Sequence, residues 1–358
     1  MRKTILFTIA LSGISLLSCN KKEKEREEAE ANFNTLKKEV LNDIATNVIY
    51  KTYLDLNVKS QILYNTLSTF NSSSSEADLQ ASRNAWREVR AVWEQSEGFL
   101  FGPVSIDNID PRIDTWPIDF ARIDSVINTS EELTESYVNN LEESLKGFHP
   151  LEFILWGSDG NKTAASFTSR EKELMMALAN NLKQLCLDLE GNWLPTGPGS
   201  YHTHLTTAGN GSIIYATERA AYEEIVDALI GICDEVANGK IAEPFNTQVA
   251  MLEESPFAKN STTDFVNNMK SVQNVYLGIY TAKGKGLGDI IKSKNLAMDG
   301  KIKTKINAAI QSLQNITVPF GEAIFTQRTQ VQNSINAIND LKSYLEENVK
   351  PFMQNIII

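Results

Sequence analysis

The pairing in this sequence best suited to chemistry is one imidazole and one carboxylate three residues apart. His149 and Glu152 stand in Gly147-Phe148-His149-Pro150-Leu151-Glu152. If the chain is helical after Pro150, the two side chains share a face. Together they make a usable metal pair, or a base with its orienting acid. The same pair near a helix start can also serve only to satisfy backbone groups. Upstream, Arg87, Arg90, Glu94 and Glu97 fall along one face of a helical stretch flanked by Trp86 and Trp93. A solvated stripe of ion pairs would be worth little. Tryptophans beside ions favour a partly buried polar cluster instead. Asp110, Asp114 and Asp119 then follow on a segment stiffened by Pro111 and Pro117. Such a segment can carry function, or its aspartates can simply cap turns.

These residue types narrow the chemistry. A catalytic zinc commonly has three protein ligands, at least two of them histidines. The chain has 3 histidines, and neither His-Glu-x-x-His nor His-x-x-Glu-His occurs, since Phe153 follows Glu152. His202 and His204 are expected as exposed loop residues, although a domain interface is within their reach. No serine has a marked base partner. Carboxylate oxygens and an imidazole nitrogen can hold a metal ion, so binding suits the set better than proteolysis. The alternative is a zinc metallopeptidase using His149 and Glu152, and a purely structural surface protein is a third reading. With no haem-attachment cysteine pair, any haem would be noncovalent.

The elements that must position these residues read as helices. Phe33, Leu36, Val40, Ile44 and Val48 recur at three and four. Leu79, Trp86, Val89 and Trp93 mark a helix with Ser75 and Asp78 at its start. Leu133, Tyr137, Leu141 and Leu145 predict another, stopped near Gly147. Thr168 or Ser169 caps a helix through Leu189. Trp193 to Gly211 reads as a hinge. In the second half, a helix from Ile213 to Val236 is closed by Gly239, Thr262 or Thr263 caps the next, and two long helices end the chain. No segment alternates as a strand does. The fold expected is all-α, with an N-terminal helical bundle at 32–195 and a C-terminal one at 210–358.

The N-terminus predicts export. Arg2 and Lys3 precede an apolar run from Ile5 to Leu17, too short for a comfortable membrane span, which ends in Leu16-Leu17-Ser18-Cys19. Residues 1–18 are expected to be a lipoprotein signal peptide, with acylation of Cys19 anchoring the chain to the outer membrane, on the periplasmic or cell-surface side. An ordinary secretory signal is the alternative. Residues 19–31, dominated by Lys and Glu, read as a solvated tether. Cys186 and Cys233 lie in apolar stretches and are expected to be buried and unpaired, although a disulfide is open to them in an oxidising compartment. With 45 acidic against 34 basic residues, the 358-residue chain carries a formal charge of −11. That balance is unsuited to nucleic acid. Hydrophobic content of 42% is enough for real cores.

The ordered motifs resemble the imelysin-like family. Gly147, His149 and Glu152 resemble its Gly-x-His-x-x-Glu signature. Trp86-Arg87, Trp93-Glu94, Ser96-Glu97 and Phe101-Gly102-Pro103 resemble one further block, and Asp110-Pro111, Asp114 and Trp116-Pro117 another. Glu254-Ser255-Pro256-Phe257, Asn260-Ser261, Asp264 and Asn274 to Gly278 resemble blocks of its second half. The resemblance implies two helical-bundle domains related by an internal duplication, with a site near their interface. It also implies a link to bacterial iron acquisition, with iron or an iron-bearing small ligand bound and outer-membrane iron-uptake proteins as partners, or else a peptidase. Carried over residue by residue, His149 and Glu152 are the metal candidates. Arg87, Glu94, Glu97, Asp110, Asp114, Glu254, Ser255 and Asp264 match the blocks as candidate ligand-binding residues.

Overall fold

A computed structural model describes residues 8–197 and 199–357, with side chains from Lys21 onward. The expected signal peptide and Cys19 thus lie outside the residues whose side chains are described. The described chain is all-α, and its one β-type pairing is an isolated bridge between Ile279 and Lys283. No helix among the described residues is long and apolar enough to cross a membrane.

Helix α1 (Thr8–Asp43) runs through a π-helical turn (Ile44–Tyr50) into α2 (Lys51–Ser73). The charged stretch from Lys21 to Glu30 continues α1 with its side chains exposed. Lys, Glu, Arg and Ala are good helix formers, so this segment needs no burial to be helical. Helix α3 (Glu76–Glu94) opens at Ser75, whose hydroxyl accepts the Asp78 amide at 3.1 Å. After the short α4 (Ile109–Asp114) and α5 (Phe148–Trp156), helix α6 (Ser169–Asn192) has a capping box formed by Thr168 and Glu171. Helix α2 packs against α3 and α6, burying Tyr53, Leu56, Leu63, Leu67 and Phe70. Each such side chain removed from water contributes roughly 1.5–3 kcal/mol.

The second half contains α7 (Tyr201–Thr206), α8 (Glu218–Asp234), α9 (Ser261–Leu277), α10 (Leu296–Gln314) and α11 (Arg328–Tyr344). Helix α10 packs on α9 and α11, and α11 on α8. The two halves meet where α3 lies against α9.

Several local expectations are corrected. The helix expected over Leu133–Leu145 is only the short Glu135–Asn139 and a 3-10 turn, Glu143–Leu145. The Lys146 ammonium donates to the carbonyls of Asn139 and Leu141, at 3.0 and 2.7 Å, and so occupies acceptors that a continuing helix would use. Gly239 does not close its helix, because α8 widens into a π-helical turn, Glu235–Ile241, and continues into Ala242–Thr247. The segment read as a hinge contains α7, which buries Tyr201, His202 and Leu205. Neither Thr262 nor Thr263 caps α9, which starts at Ser261 after Asn260. Cys186 and Cys233 are free and buried, and burial pushes both thiols up to about 12.

Candidate functional site

Gly147 decides how closely two short helices approach. Its φ is +88°, and a Cβ there would lie 2.2 Å from the Ile113 carbonyl oxygen. Only glycine lets the start of α5 sit against the end of α4 in this way. Helix α5 then opens at Phe148, two residues before the expected Pro150, which falls in the first turn where its missing N–H is harmless. This junction sets His149, on α5, beside Asp114, the last residue of α4. Gly147→Ala is expected to destabilise the fold by about 2–3 kcal/mol. It should also push the two side chains apart. Urea denaturation measures the first effect, and metal titration the second.

His149 and Glu152 are both fully buried. The imidazole Nδ1 lies 3.4 Å from Glu152 Oε2. Glu152 is itself fixed, since its Oε1 accepts the Ala258 amide at 2.7 Å. Arg87 grips the same residue, donating to the Ala258 carbonyl at 3.0 Å while its guanidinium lies 4.9 Å from the Trp156 ring centre. On its other side the imidazole Nε2 faces Asp114 Oδ1 at 3.1 Å and Glu254 Oε1 at 3.7 Å. Neither contact has hydrogen-bond geometry, so Nε2 is a buried atom without a hydrogen-bond partner. Trp116 packs against the ring with centroids 4.9 Å apart.

Around this pair lies a buried network drawn from both halves of the chain. Arg90, fully buried on α3, places Nη2 2.5 Å from Glu94 Oε1 and 2.7 Å from Glu254 Oε1. Its Nη1 contacts Asp114, and its Nε lies 3.9 Å from Asp264. The Trp93 indole donates to Asp114 Oδ2 at 2.7 Å. Asn268 on α9 donates to Glu94 at 2.5 Å and to Glu97 at 2.6 Å. Asp264 accepts from the Ser255 hydroxyl and from Asn260, both at 2.7 Å. The Ser255 hydroxyl is therefore committed to a carboxylate and has no imidazole beside it. Lys240, on the π-helical turn, reaches Glu254 at 3.1 Å and Glu97 at 3.3 Å.

Carboxylates outnumber permanent cations in this network. Glu94, Glu97, Asp114, Glu254 and Asp264 are paired with Arg90 and Lys240, and Arg87 is felt at Asp264. Protons take up the difference. Burial pushes Glu94 up against the pull of Arg90, and burial with Glu94 alongside pushes Glu97 and Asp264 well above the usual carboxylate range. Asp110 rises to about 7 through burial and the nearby Asp114. Burial opposes the charge on Asp114 and Glu254 too, yet Arg90 holds the first well below the ordinary value, and Lys240 with Arg90 lowers the second. Burial would depress His149, but contact with Asp114 and Glu152 raises it to about 9.

Among the described residues, two triplets offer ligand atoms within 4.8 Å of one another: Asp114, His149 and Glu254, and then Glu94, Glu97 and Asp114. Glu152 belongs to neither, since it faces the opposite ring nitrogen. Metal-bound histidines commonly have this arrangement, one nitrogen held by a carboxylate and the other left for the ion. The donor set fits a hard or borderline cation.

Of the candidates from sequence, Glu94, Glu97, Asp114, His149, Glu152, Glu254, Ser255 and Asp264 come together, with Arg87 at the edge and Asp110 within electrostatic reach of Asp114. His202 is buried rather than exposed, with Nε2 2.8 Å from Thr46 Oγ1, and His204 packs near Tyr201. Lys240 and Asn268 were not among the candidates. The pair Asn267-Asn268 inside a helical pattern was a usable signal, because asparagine is a weak helix former. Lys240 carries no comparable mark.

The all-helical fold, with its Gly-x-His-x-x-Glu segment resembling the imelysin signature, is matched among known proteins. The sequence profile of that family, named Peptidase M75 (Imelysin), matches residues 49–346, and the chain belongs to it. Among particular relatives, iron-regulated protein A of Synechococcus elongatus is 29% identical over 316 residues, spanning 86% of this chain and 84% of that protein. A crystal structure from Parabacteroides distasonis ATCC 8503, described as a precursor of iron-regulated protein A, superposes with a TM-score of 0.80 at 26% identity, covering 88% of this chain and 95% of that one. An imelysin-like protein from Psychrobacter arcticum 273-4 shares the fold, with a TM-score of 0.73 at 15% identity, covering 89% of this chain and 96% of that one.

Proposed function

We propose that this protein is a lipid-anchored binding protein that takes up iron at Asp114, His149 and Glu254, in the service of bacterial iron uptake. The observation that carries the reading is the imidazole of His149. Its Nδ1 is held by Glu152, and its Nε2 is buried, without a hydrogen-bond partner, and turned toward two carboxylates. In the metal-free protein the raised pKa keeps a proton on the ring between these carboxylates, and a metal ion would take that proton's place. The surplus of buried carboxylates favours a cation, and the names of two relatives, iron-regulated protein A, accord with iron as that cation. Glu152 then orients the ligand rather than binding the ion. Calorimetric titration with Fe(II) under anaerobic conditions, and with Fe(III) and Zn(II), tests the site. Equal affinity in wild type, Asp114→Asn and Glu254→Gln would sink the assignment.

A peptidase reading has less support. Peptide hydrolysis at a metal needs an open coordination position and room for substrate, whereas His149 and Glu152 are both fully buried and only one imidazole is in the cluster. The anchor rests on Leu16-Leu17-Ser18-Cys19. Cys19→Ser is expected to abolish incorporation of radiolabelled palmitate and move the protein from the membrane to the soluble fraction. Retention of label would overturn the anchor.

A further inference from the structure

The outer edge of the acidic cluster is closed by one ammonium. Lys240 lies on the π-helical turn Glu235–Ile241. A π-helix bonds each residue to the fifth along, so Glu235 and Lys240 come together, with Nζ 3.5 Å from Glu235 Oε1. Inward, the same Nζ holds Glu254 Oε1 at 3.1 Å and Glu97 Oε2 at 3.3 Å. Side-chain exposure is graded along this line: 51% at Glu235, 10% at Lys240, 5% at Glu254 and 2% at Glu97. Lys240 therefore bridges the boundary between water and the buried carboxylates.

Glu254 Oε1 is also the oxygen that faces His149 Nε2. Arg90 Nη2 already lies 2.7 Å from that oxygen, so an ion bound there would be a third cation upon it, and like charges repel strongly where the dielectric is low. One of them must give way. Arg90 is fully buried among four carboxylates, with no exposed partner among its ion pairs. Lys240 has an outward partner and a flexible four-carbon stem. On the reading that the cluster binds metal, we infer that Lys240 is a tethered stand-in cation, holding Glu97 and Glu254 until an entering metal ion displaces it toward Glu235. Such a residue selects for charge. A monovalent ion gains nothing over the ammonium it replaces, whereas a divalent or trivalent ion does.

The test titrates the detergent-extracted full chain with Mn(II) and, anaerobically, Fe(II), using wild type, Lys240→Met, Glu235→Gln and the double variant. Lys240→Met is expected to bind about tenfold more tightly, within the usual range for two coupled ligands. Glu235→Gln, which removes the outward resting place, should weaken binding about threefold in the wild-type background and leave Lys240→Met unchanged, the non-additivity of residues that act together. Unchanged or weaker binding in Lys240→Met, or a Glu235→Gln effect equal in both backgrounds, overturns the inference. If Lys240→Met does not fold, Lys240→Arg decides. Its guanidinium can hold both carboxylates and should weaken and slow binding, and unchanged affinity would overturn the inference. Silence of wild type and every variant toward both metals would instead remove the metal site on which the inference rests.

Discussion

His149→Ala is expected to weaken Fe(II) binding by at least about a hundredfold, because losing an outer-shell partner alone costs 10–100-fold and this change removes the ligand itself. The argument rests on position. Nε2 is the only nitrogen in the Asp114, His149 and Glu254 triplet, and the two oxygens alone form an incomplete site. Glu152→Gln keeps the ring but loosens its hold, and about a tenfold loss is expected. Anaerobic calorimetry on the three proteins, with circular dichroism to confirm folding, separates these effects. Equal losses in both variants would mean that Glu152 is a ligand rather than an orienting group.

The same imidazole gives the site a pH dependence. A metal-binding imidazole must lose its proton, and contact with Asp114 and Glu152 raises His149 to about 9. Iron binding at pH 7 should therefore release a proton, and affinity should rise up to about pH 9. Stability of the metal-free protein should move the other way. A base whose pKa is raised in the folded state contributes stability that is complete below its unfolded value and lost as the pH passes through the folded value. For His149 that window runs from 6.5 to about 9. Glu94, Glu97 and Asp264, raised chiefly by burial, act in the same direction, because the folded state binds their protons more tightly. Urea midpoints measured without metal should therefore fall between pH 6.5 and 9, and saturating metal should flatten the decline.

Arg90→Met is expected to bring the largest loss of stability, about 3–5 kcal/mol, the usual penalty for breaking a buried ion pair from one side. The guanidinium is fully buried and faces Glu94, Asp114, Glu254 and Asp264 together. Its removal leaves acidic groups that must bind protons, accept a metal or return to water. The loss should therefore be greatest at alkaline pH and smaller in acid. Arg122→Met, which breaks an exposed pair with Glu142, should change little. Thermal melts of both variants across pH make the comparison. Equal and small effects would mean that Arg90 does not hold the cluster together.

Much of this arrangement was legible in the sequence, for identifiable reasons. Helical periods in α3, α10 and α11 were visible because their apolar spacing follows burial. The cap of α3 at Ser75 and that of α6 at Thr168 were visible because capping chemistry is local. Glu94, Glu97, Asp114 and His149 stood out because tryptophans and prolines beside charged residues are unusual on a solvated surface. What stayed hidden was long-range or a matter of degree. Lys240 reaches the cluster only because α8 widens into a π-helical turn, and nothing in Asn238-Gly239-Lys240 announces that. His202 looked like a loop residue because its burial depends on α7 packing against the turn at Ile44–Tyr50, 156 positions earlier for its partner Thr46. The roles within Gly-x-His-x-x-Glu were equally hidden. Spacing brings His149 and Glu152 together, but only the fold shows which ring nitrogen Glu152 takes and which is left for Asp114 and Glu254.

X-ray absorption on iron-loaded wild type tests that geometry most directly. The expected spectrum shows one imidazole nitrogen bound directly to the iron together with carboxylate oxygens. The imidazole scattering should persist in Glu152→Gln and vanish in His149→Ala. A spectrum from oxygen ligands alone, identical in wild type and His149→Ala, would contradict the account.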